Sequence, residues 1–329
     1  MQVDTRDAYL ELLKQCLTRA WFVGEESARG HRRRATAEMM RWLQTRGFIV
    51  VPAMPSVDAH AVRRVPGLAG SRMLARLLAR RGFVIIPDNH ATRSRIGTAA
   101  GGRRRRLRGW SRELAGVERE FGLDWPEHAE TMVGLRRLDN VEACVVDALR
   151  QGVPGDLLEA GVWRGGTAIL MRAVLAAHDD DERRVWVADS FHGLPKPDAD
   201  AFPADRGVDY TGHAQLAVGV EQVRANFARY GLLDDRVEFV PGWFKDTLPS
   251  APVDRLAVMR LDGDLYESTI DALEALYPKL SVGGYCIIDD YGALTACRGA
   301  VDDYRAAHGI TEEILPVDWT GAYWRRDRE

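Results

Sequence analysis

From Gly155 to the end of the chain, short apolar runs alternate with stretches whose apolar residues recur at helical spacing. "DLLEAG" precedes "GGTAILMRAVLAAH", and "RVWVADSF" leads through a long polar segment to "VEQVRANFARYG". "RVEFVPG", "LAVMRLDGD" with "STIDALEALYPKL", and "GGYCIIDDY" with "ACRGAVDDYRAAHG" continue the pattern. Apolar strands alternating with amphipathic helices predict an α/β fold, a doubly wound and mostly parallel sheet covered on both faces. The last segment, "EEILPVDWTGAYWRR", reads as an antiparallel hairpin at one edge, with its turn near Thr320 and Gly321.

The first half is organised differently. "AYLELLKQCLTRAW" spaces its apolar residues as an amphipathic helix. "RWLQTRGFIVVP" is then echoed by "RLLARRGFVIIP", each a helix, a glycine stop and a β-branched strand closed by proline. Two copies are too few for a solenoid. They read either as a small inserted α/β module whose two strands pair or as a coincidence of apolar pattern. "SRIGTAAGGRRRRLRG" reads as a solvated linker. The expected organisation is an N-terminal helix in 1–25, an arginine-rich inserted module in 26–110, a helical cover over the site in 111–152 and a core in 153–329.

Composition narrows the function classes. Of 329 residues 46% are hydrophobic and the formal net charge is −3, so the overall charge does not point to nucleic acid. Cys16, Cys144, Cys286 and Cys297 have no CxxC spacing, which fits free thiols better than a disulfide framework or a zinc site. No apolar run has the length of a membrane span or the form of an export signal, so a cytoplasmic, membrane-free protein is expected.

The candidate chemistry lies at the strand ends, where doubly wound folds bind ligands. In "DLLEAGVWRGG" Glu159 stands two residues before Gly161, and Gly165 and Gly166 follow. Glycines let backbone approach a ligand closely. A carboxylate there would repel a pyrophosphate and attract an ammonium or sulfonium. The loop therefore suits a cationic nucleoside cofactor such as S-adenosylmethionine. Asp189, at the end of the next strand, is placed to accept ribose hydroxyls, and Gly242 and Trp243 offer room and an aromatic wall for a purine. "MRLDGDLY" and "CIIDDY" put Asp262, Asp264, Asp289 and Asp290 on one rim. Clustered carboxylates of this kind suit a shared cation, with Mg²⁺ favoured by an all-oxygen set. The competing reading makes Asp289 and Asp290 a helix cap, or pairs Asp290 with an arginine.

Taken together, "TMVGLRRLDN", "VPGDLLEAGVWRGGTAI", "VWVADSFHGLPKP", "NFARYGLLDDRVEFVPGWFKDTLP", "LAVMRLDGDLYEST" and "GGYCIIDDY" resemble the macrocin O-methyltransferase family, which methylates deoxysugar hydroxyls of macrolides and other natural products. The resemblance runs from Gly116 to Arg326 and includes the opening helix. It implies cofactor contacts from Glu159, Gly161, Gly165, Asp189 and Ser190, and from Thr131 and Met132 in the "TMVG" turn, where Met132 also meets the acceptor. It implies metal ligation by Asp262, Asp289 and Asp290, with Asp262 also taking the hydroxyl proton; Asp264 is expected to be structural. Trp125 stands where the family often has a substrate-contacting tyrosine, and the loop from His192 to Gln215 is where members vary and cover the acceptor. The implied partners are a glycosylated small molecule and further copies of the chain, as a homodimer or homotetramer. Two other classes compete: a catechol-type methyltransferase, whose usual lysine near the metal acids is missing from "RLDGDLYEST", and a non-catalytic adenosyl-binding protein acting through its arginine-rich insertion.

Overall fold

The computed structural model describes residues 5–19, 48–52, 83–87, 119–122, 126 and 128–328. Trp125, both arginine runs, the "AAGG" linker and most of the expected module in 26–110 lie outside these residues.

Helix α1 (Thr5–Leu17) forms where the spacing predicts one, but it buries Leu10, Leu13 and Leu17 and leaves Tyr9 and Leu12, read from the sequence as part of the apolar stripe, exposed. The echoed strands β1 (Phe48–Pro52) and β2 (Phe83–Pro87) pair antiparallel, Phe48 opposite Pro87 and Pro52 opposite Phe83. Helix α2 (Leu135–Arg150) buries Leu138, Val141, Cys144, Val145 and Ala148 along one face.

The core follows the expected alternation: β3 (Asp156–Ala160), α3 (Gly166–Ala177), β4 (Val185–Asp189), α4 (Val220–Arg229), β5 (Val237–Pro241), α5 (Phe244–Thr247), β6 (Leu256–Leu261), α6 (Tyr266–Leu276), β7 (Leu280–Ile288) and α7 (Thr295–Ala307). The strands β8 (Leu315–Pro316) and β9 (Ala322–Arg325) close it. Sheet order is β5-β4-β3-β6-β7-β9-β8, parallel from β5 to β7 and antiparallel beyond. The expected doubly wound sheet with a terminal hairpin is therefore present.

Two packed layers flank the sheet. Leu157, Val185 and Val187 join the layer beneath α1 to α4, while Leu158, Trp186 and Ala188 face the opposite layer with Leu273, Leu276 and Val301. That is the period-two alternation of strands buried on both faces. Helix α3 is buried almost all round, and its Arg172 reaches Asp234 at 2.7 Å. The four cysteines are unpaired. Among the described residues no helix is long and apolar enough to cross a membrane.

Winding reverses between β3 and β6, so the cleft opens at their carboxyl ends. The ladder continues one residue past each strand: Asp262 N–H donates to the Ala160 carbonyl at 2.8 Å, and Asp289 N–H to the Leu261 carbonyl at 2.9 Å. Gly161, Asp262 and Asp289 thus share one level of the rim.

Gly161 has φ +88°, and a Cβ there would lie 1.9 Å from the Asp262 carbonyl oxygen. Its close approach is to neighbouring backbone, where the sequence suggested a ligand. Gly161→Ala is expected to cost about 2–4 kcal/mol through clash and strain. Gly152→Ala, also at positive φ but with open space around it, should cost only about 1–2 kcal/mol. Urea unfolding of the two variants compares them; equal losses would assign the effect to φ alone.

Candidate active site

Strand β6 is buried along its whole length and carries Arg260 one residue from its carboxyl end, 1% exposed. A guanidinium there cannot reach water and must be answered by acids. Glu159 is its register partner on β3 and accepts from Nη1 at 2.5 Å. Nη2 donates to Asp262 Oδ2 at 2.9 Å and also to Asp289 Oδ1. The second oxygen of Asp289 accepts from Arg137 of α2, whose Nε lies 3.1 Å from Asp318 Oδ2. Asp318 also accepts the N–H groups of Thr320 and Gly321 in the hairpin turn. Charge therefore alternates from β3 through β6 and β7 to α2 and the hairpin. Neither Arg260, Arg137 nor Asp318 was singled out from the sequence; the available signal was an arginine inside "LAVMRL", a run otherwise suited only to a central strand.

The network sorts the rim acids. Asp289 meets a burial penalty, but Arg137 and Arg260 outweigh it and hold the carboxyl below its ordinary range. Asp262 lies at the end of β6 with a 27% exposed side chain, against 7% for Asp289. Burial, then the Asp289 charge, raise its carboxyl. Asp264 is pushed up to about 8 by burial and the charges of Asp262 and Asp289. Asp290 is raised well above its usual range by burial and its acidic neighbours.

Carboxylate oxygens of Asp262, Asp264 and Asp290 lie within 4.8 Å of one another. Of the sequence-read metal set, Asp262 and Asp290 are in this group, while Asp289 stands between the two arginines. Asp264, read as structural, stands inside the group at φ +57°. The pairing with arginine that the sequence offered for Asp290 belongs to Asp289. Asp290 Oδ2 is buried without a hydrogen-bond partner, as a cation ligand would be.

A cleft of about 380 Å³ adjoins the rim. Thr131, Met132, Glu159, Gly161, Asp189, Ser190 and Trp243 line it together with Asp262, Asp289 and Asp290. Gly165 and Gly242 do not. Gly165 precedes α3 at φ +85° against Val223, and Gly242 packs on Thr247 at φ +137°.

Glu159 is 1% exposed, and burial pushes it up to about 8 because Arg260 is shared with two other acids. Its Oε2 has no hydrogen-bond partner, a place for a cationic group to be recognised. Asp189 accepts backbone N–H groups from Val162 at 2.8 Å, Trp163 at 3.3 Å and Phe191 at 2.7 Å. It ties the glycine loop to β4 and lines the cleft. Thr131 Oγ1 accepts from Val133 N–H at 3.0 Å, closing the "TMVG" turn. The turn meets α3 where Gly166 N–H donates to the Glu130 carbonyl at 3.0 Å.

Residues 85–326 match the family described as Macrocin-O-methyltransferase (TylF). The chain is 64% identical over 208 residues to the 8-demethyl-8-(2,3-dimethoxy-alpha-L-rhamnosyl)-tetracenomycin-C 4'-O-methyltransferase of Streptomyces olivaceus, covering 63% of this chain and 79% of that protein. It is 54% identical over 219 residues to the mycinamicin III 3''-O-methyltransferase of Micromonospora griseorubida, covering 65% and 86%. The solved O-methyltransferase NovP superposes with a TM-score of 0.64 at 54% identity, over 64% of this chain and 88% of that one. The calicheamicin methyltransferase CalS11, at 22% identity and a TM-score of 0.50 over 68% and 98%, shares the fold.

The raised acids fix the sign of the pH dependence. Glu159 and Asp264 titrate near 8 in the folded chain and near 4 when unfolded. Between these values the folded state holds the extra protons, so stability falls as pH rises. Chelated protein is therefore expected to melt at lower temperature at pH 8 than at pH 6, and Mg²⁺ to restore more at pH 8. Calorimetry at both pH values, with EDTA or with Mg²⁺, checks this; a metal effect that is equal at both, or larger at pH 6, contradicts it.

Proposed function

The chain belongs to the macrocin O-methyltransferase family, and we propose that it uses S-adenosylmethionine and Mg²⁺ to methylate a sugar hydroxyl of a glycosylated secondary metabolite. The observation that carries this reading is Asp262. One of its oxygens is held by Arg260 at 2.9 Å, while the side chain remains partly exposed on the cleft that Glu159, Asp189 and Trp243 also line. The names of the relatives give a 4'-O-methylation of a dimethoxy-rhamnosyl tetracenomycin C and a 3''-O-methylation of mycinamicin III.

When bound, S-adenosylmethionine supplies a methyl group on a sulfonium, and Mg²⁺ supplies positive charge that makes a hydroxyl more acidic. Glu159 Oε2 would meet the cationic end of the cofactor, Asp189 and Ser190 would hold its ribose, and Trp243 would pack on its base. Thr131 and Met132 border the reacting end. Asp262 and Asp290 would hold the metal, with Asp264 in the same group and Asp289 kept by the two arginines. Asp262 would take the proton of the acceptor hydroxyl, leaving the acceptor oxygen as the nucleophile for the methyl group. Arg260 fixes the position of Asp262 throughout. Asp262 is a weak base alone, so its action depends on the hydroxyl being acidified. The reading extends to a cytoplasmic homo-oligomer acting away from nucleic acid and membrane; the expected module in 26–110 and the acceptor contact of Trp125 fall mostly outside the described residues.

Asp262→Asn is expected to lower turnover by roughly 10²–10⁴-fold, the range for loss of a general base, and chelation should do comparable damage. S-adenosylhomocysteine affinity should survive both. The assay uses labelled S-adenosylmethionine with the acceptors of the tetracenomycin, mycinamicin and novobiocin relatives, with and without Mg²⁺. Full activity in Asp262→Asn or in chelated enzyme would sink the mechanism.

A further inference from the structure

The segment joining β4 to α4 borders the outer side of the cleft, which Gly193, Leu194, Tyr210 and Leu216 line. An acid in such a segment ordinarily faces water, yet Asp205 is 1% exposed. Its two oxygens accept the N–H groups of Tyr266 at 2.6 Å and Glu267 at 3.1 Å. These are the first two amides of α6, and the residue before them, Leu265, supplies no side-chain cap. Helix-terminal amides need such a partner, and a carboxylate also complements the helix dipole. Here the cap comes from a distant loop.

Both sides of this contact lead to the site. On the loop, the Phe202 ring lies 5.9 Å from the Tyr266 ring, and Val208 N–H donates to the Asp205 carbonyl at 3.0 Å. Two residues further, Tyr210 lines the cleft, its phenol pushed up to about 12 by burial and by the charges of Asp264 and Asp290. On the helix, the capped amides directly follow the turn that carries Asp264. That residue holds φ +57°, and Leu265 N–H donates to the Gly263 carbonyl at 2.5 Å. A left-handed aspartate persists only where its flanks are fixed.

We propose that Asp205 is a positioning residue that ties the acceptor-side loop to the acid rim, so that one carboxylate sets where Tyr210 stands and where Asp264 is held. The loop's contact with the acceptor rests on the methyl-transfer reading; the tie itself does not.

Asp205→Ala and Asp205→Asn are compared with the wild type by hydrogen exchange, by calorimetry with S-adenosylhomocysteine, and by steady-state kinetics. The acceptor is 8-demethyl-8-(2,3-dimethoxy-alpha-L-rhamnosyl)-tetracenomycin C. In Asp205→Ala, exchange should quicken at least tenfold both in residues 198–216 and in 264–267, with β3 and β6 unchanged. S-adenosylhomocysteine affinity should stay within twofold, while the acceptor's KM rises about tenfold or more and kcat falls less. Asp205→Asn, which keeps one acceptor oxygen, should lie between. Faster exchange at 266–267 alone, or an unchanged KM alongside a lowered melting temperature, would reduce Asp205 to a plain cap and overturn the proposal. A wild type inactive on this acceptor would count against the methyl-transfer reading, while the exchange pattern would still decide the tie.

Discussion

A guanidinium buried near the carboxyl end of a central strand has no route to solvent, and the carboxyl rim of this sheet is arranged around that constraint. Arg260 lies beside Glu159 in register and reaches forward to Asp262 and Asp289, so the ends of β3, β6 and β7 are held by one side chain. Its planar fork donates in several directions at once, which a lysine could not reproduce. Removing it would leave buried Glu159 unanswered, free Asp262 and leave Asp289 to Arg137 alone, a far larger penalty than losing an exposed ion pair.

Two arginines serve more acids than they can neutralise, and the surplus gives the site its character. Asp289, gripped from both sides, stays ionised. Glu159 keeps one oxygen without a partner, as does Asp290, and Asp264 holds its proton to about pH 8. Such groups are costly in an empty cleft and become favourable when a cation arrives. The buried negative surplus thus favours positively charged ligands, and the hairpin, through Asp318 and Arg137, fixes how far it extends.

The strand and helix pattern in 155–325 was legible because both sheet faces are buried, which leaves apolar runs that nothing but a central strand can use. Asp189 and Asp262 were legible as strand-end acids for the same reason. The partition among Asp262, Asp264, Asp289 and Asp290 was not, because it depends on Arg137, more than a hundred residues away in sequence and brought in by α2. Nor was the burial of Asp205, since a polar loop gives no sign that one of its acids caps a helix elsewhere. Gly161 was legible as a close approach but not for its partner, because only the register of β3 on β6 sets its distance from Asp262. The two echoed apolar runs were legible as strands from the glycine stop, the β-branched run and the closing proline, while their pairing stood as one of two readings that the register of β1 on β2 decides.

The arrangement is tested most directly by diffraction from crystals soaked in Mn²⁺ and S-adenosylhomocysteine, with anomalous data locating the metal. The account predicts one peak at roughly 2–2.6 Å from carboxylate oxygens of both Asp262 and Asp290, with Arg137 and Arg260 still donating to Asp289. A peak away from these two aspartates, or a metal site formed only after Arg260 has left Asp289, would contradict it.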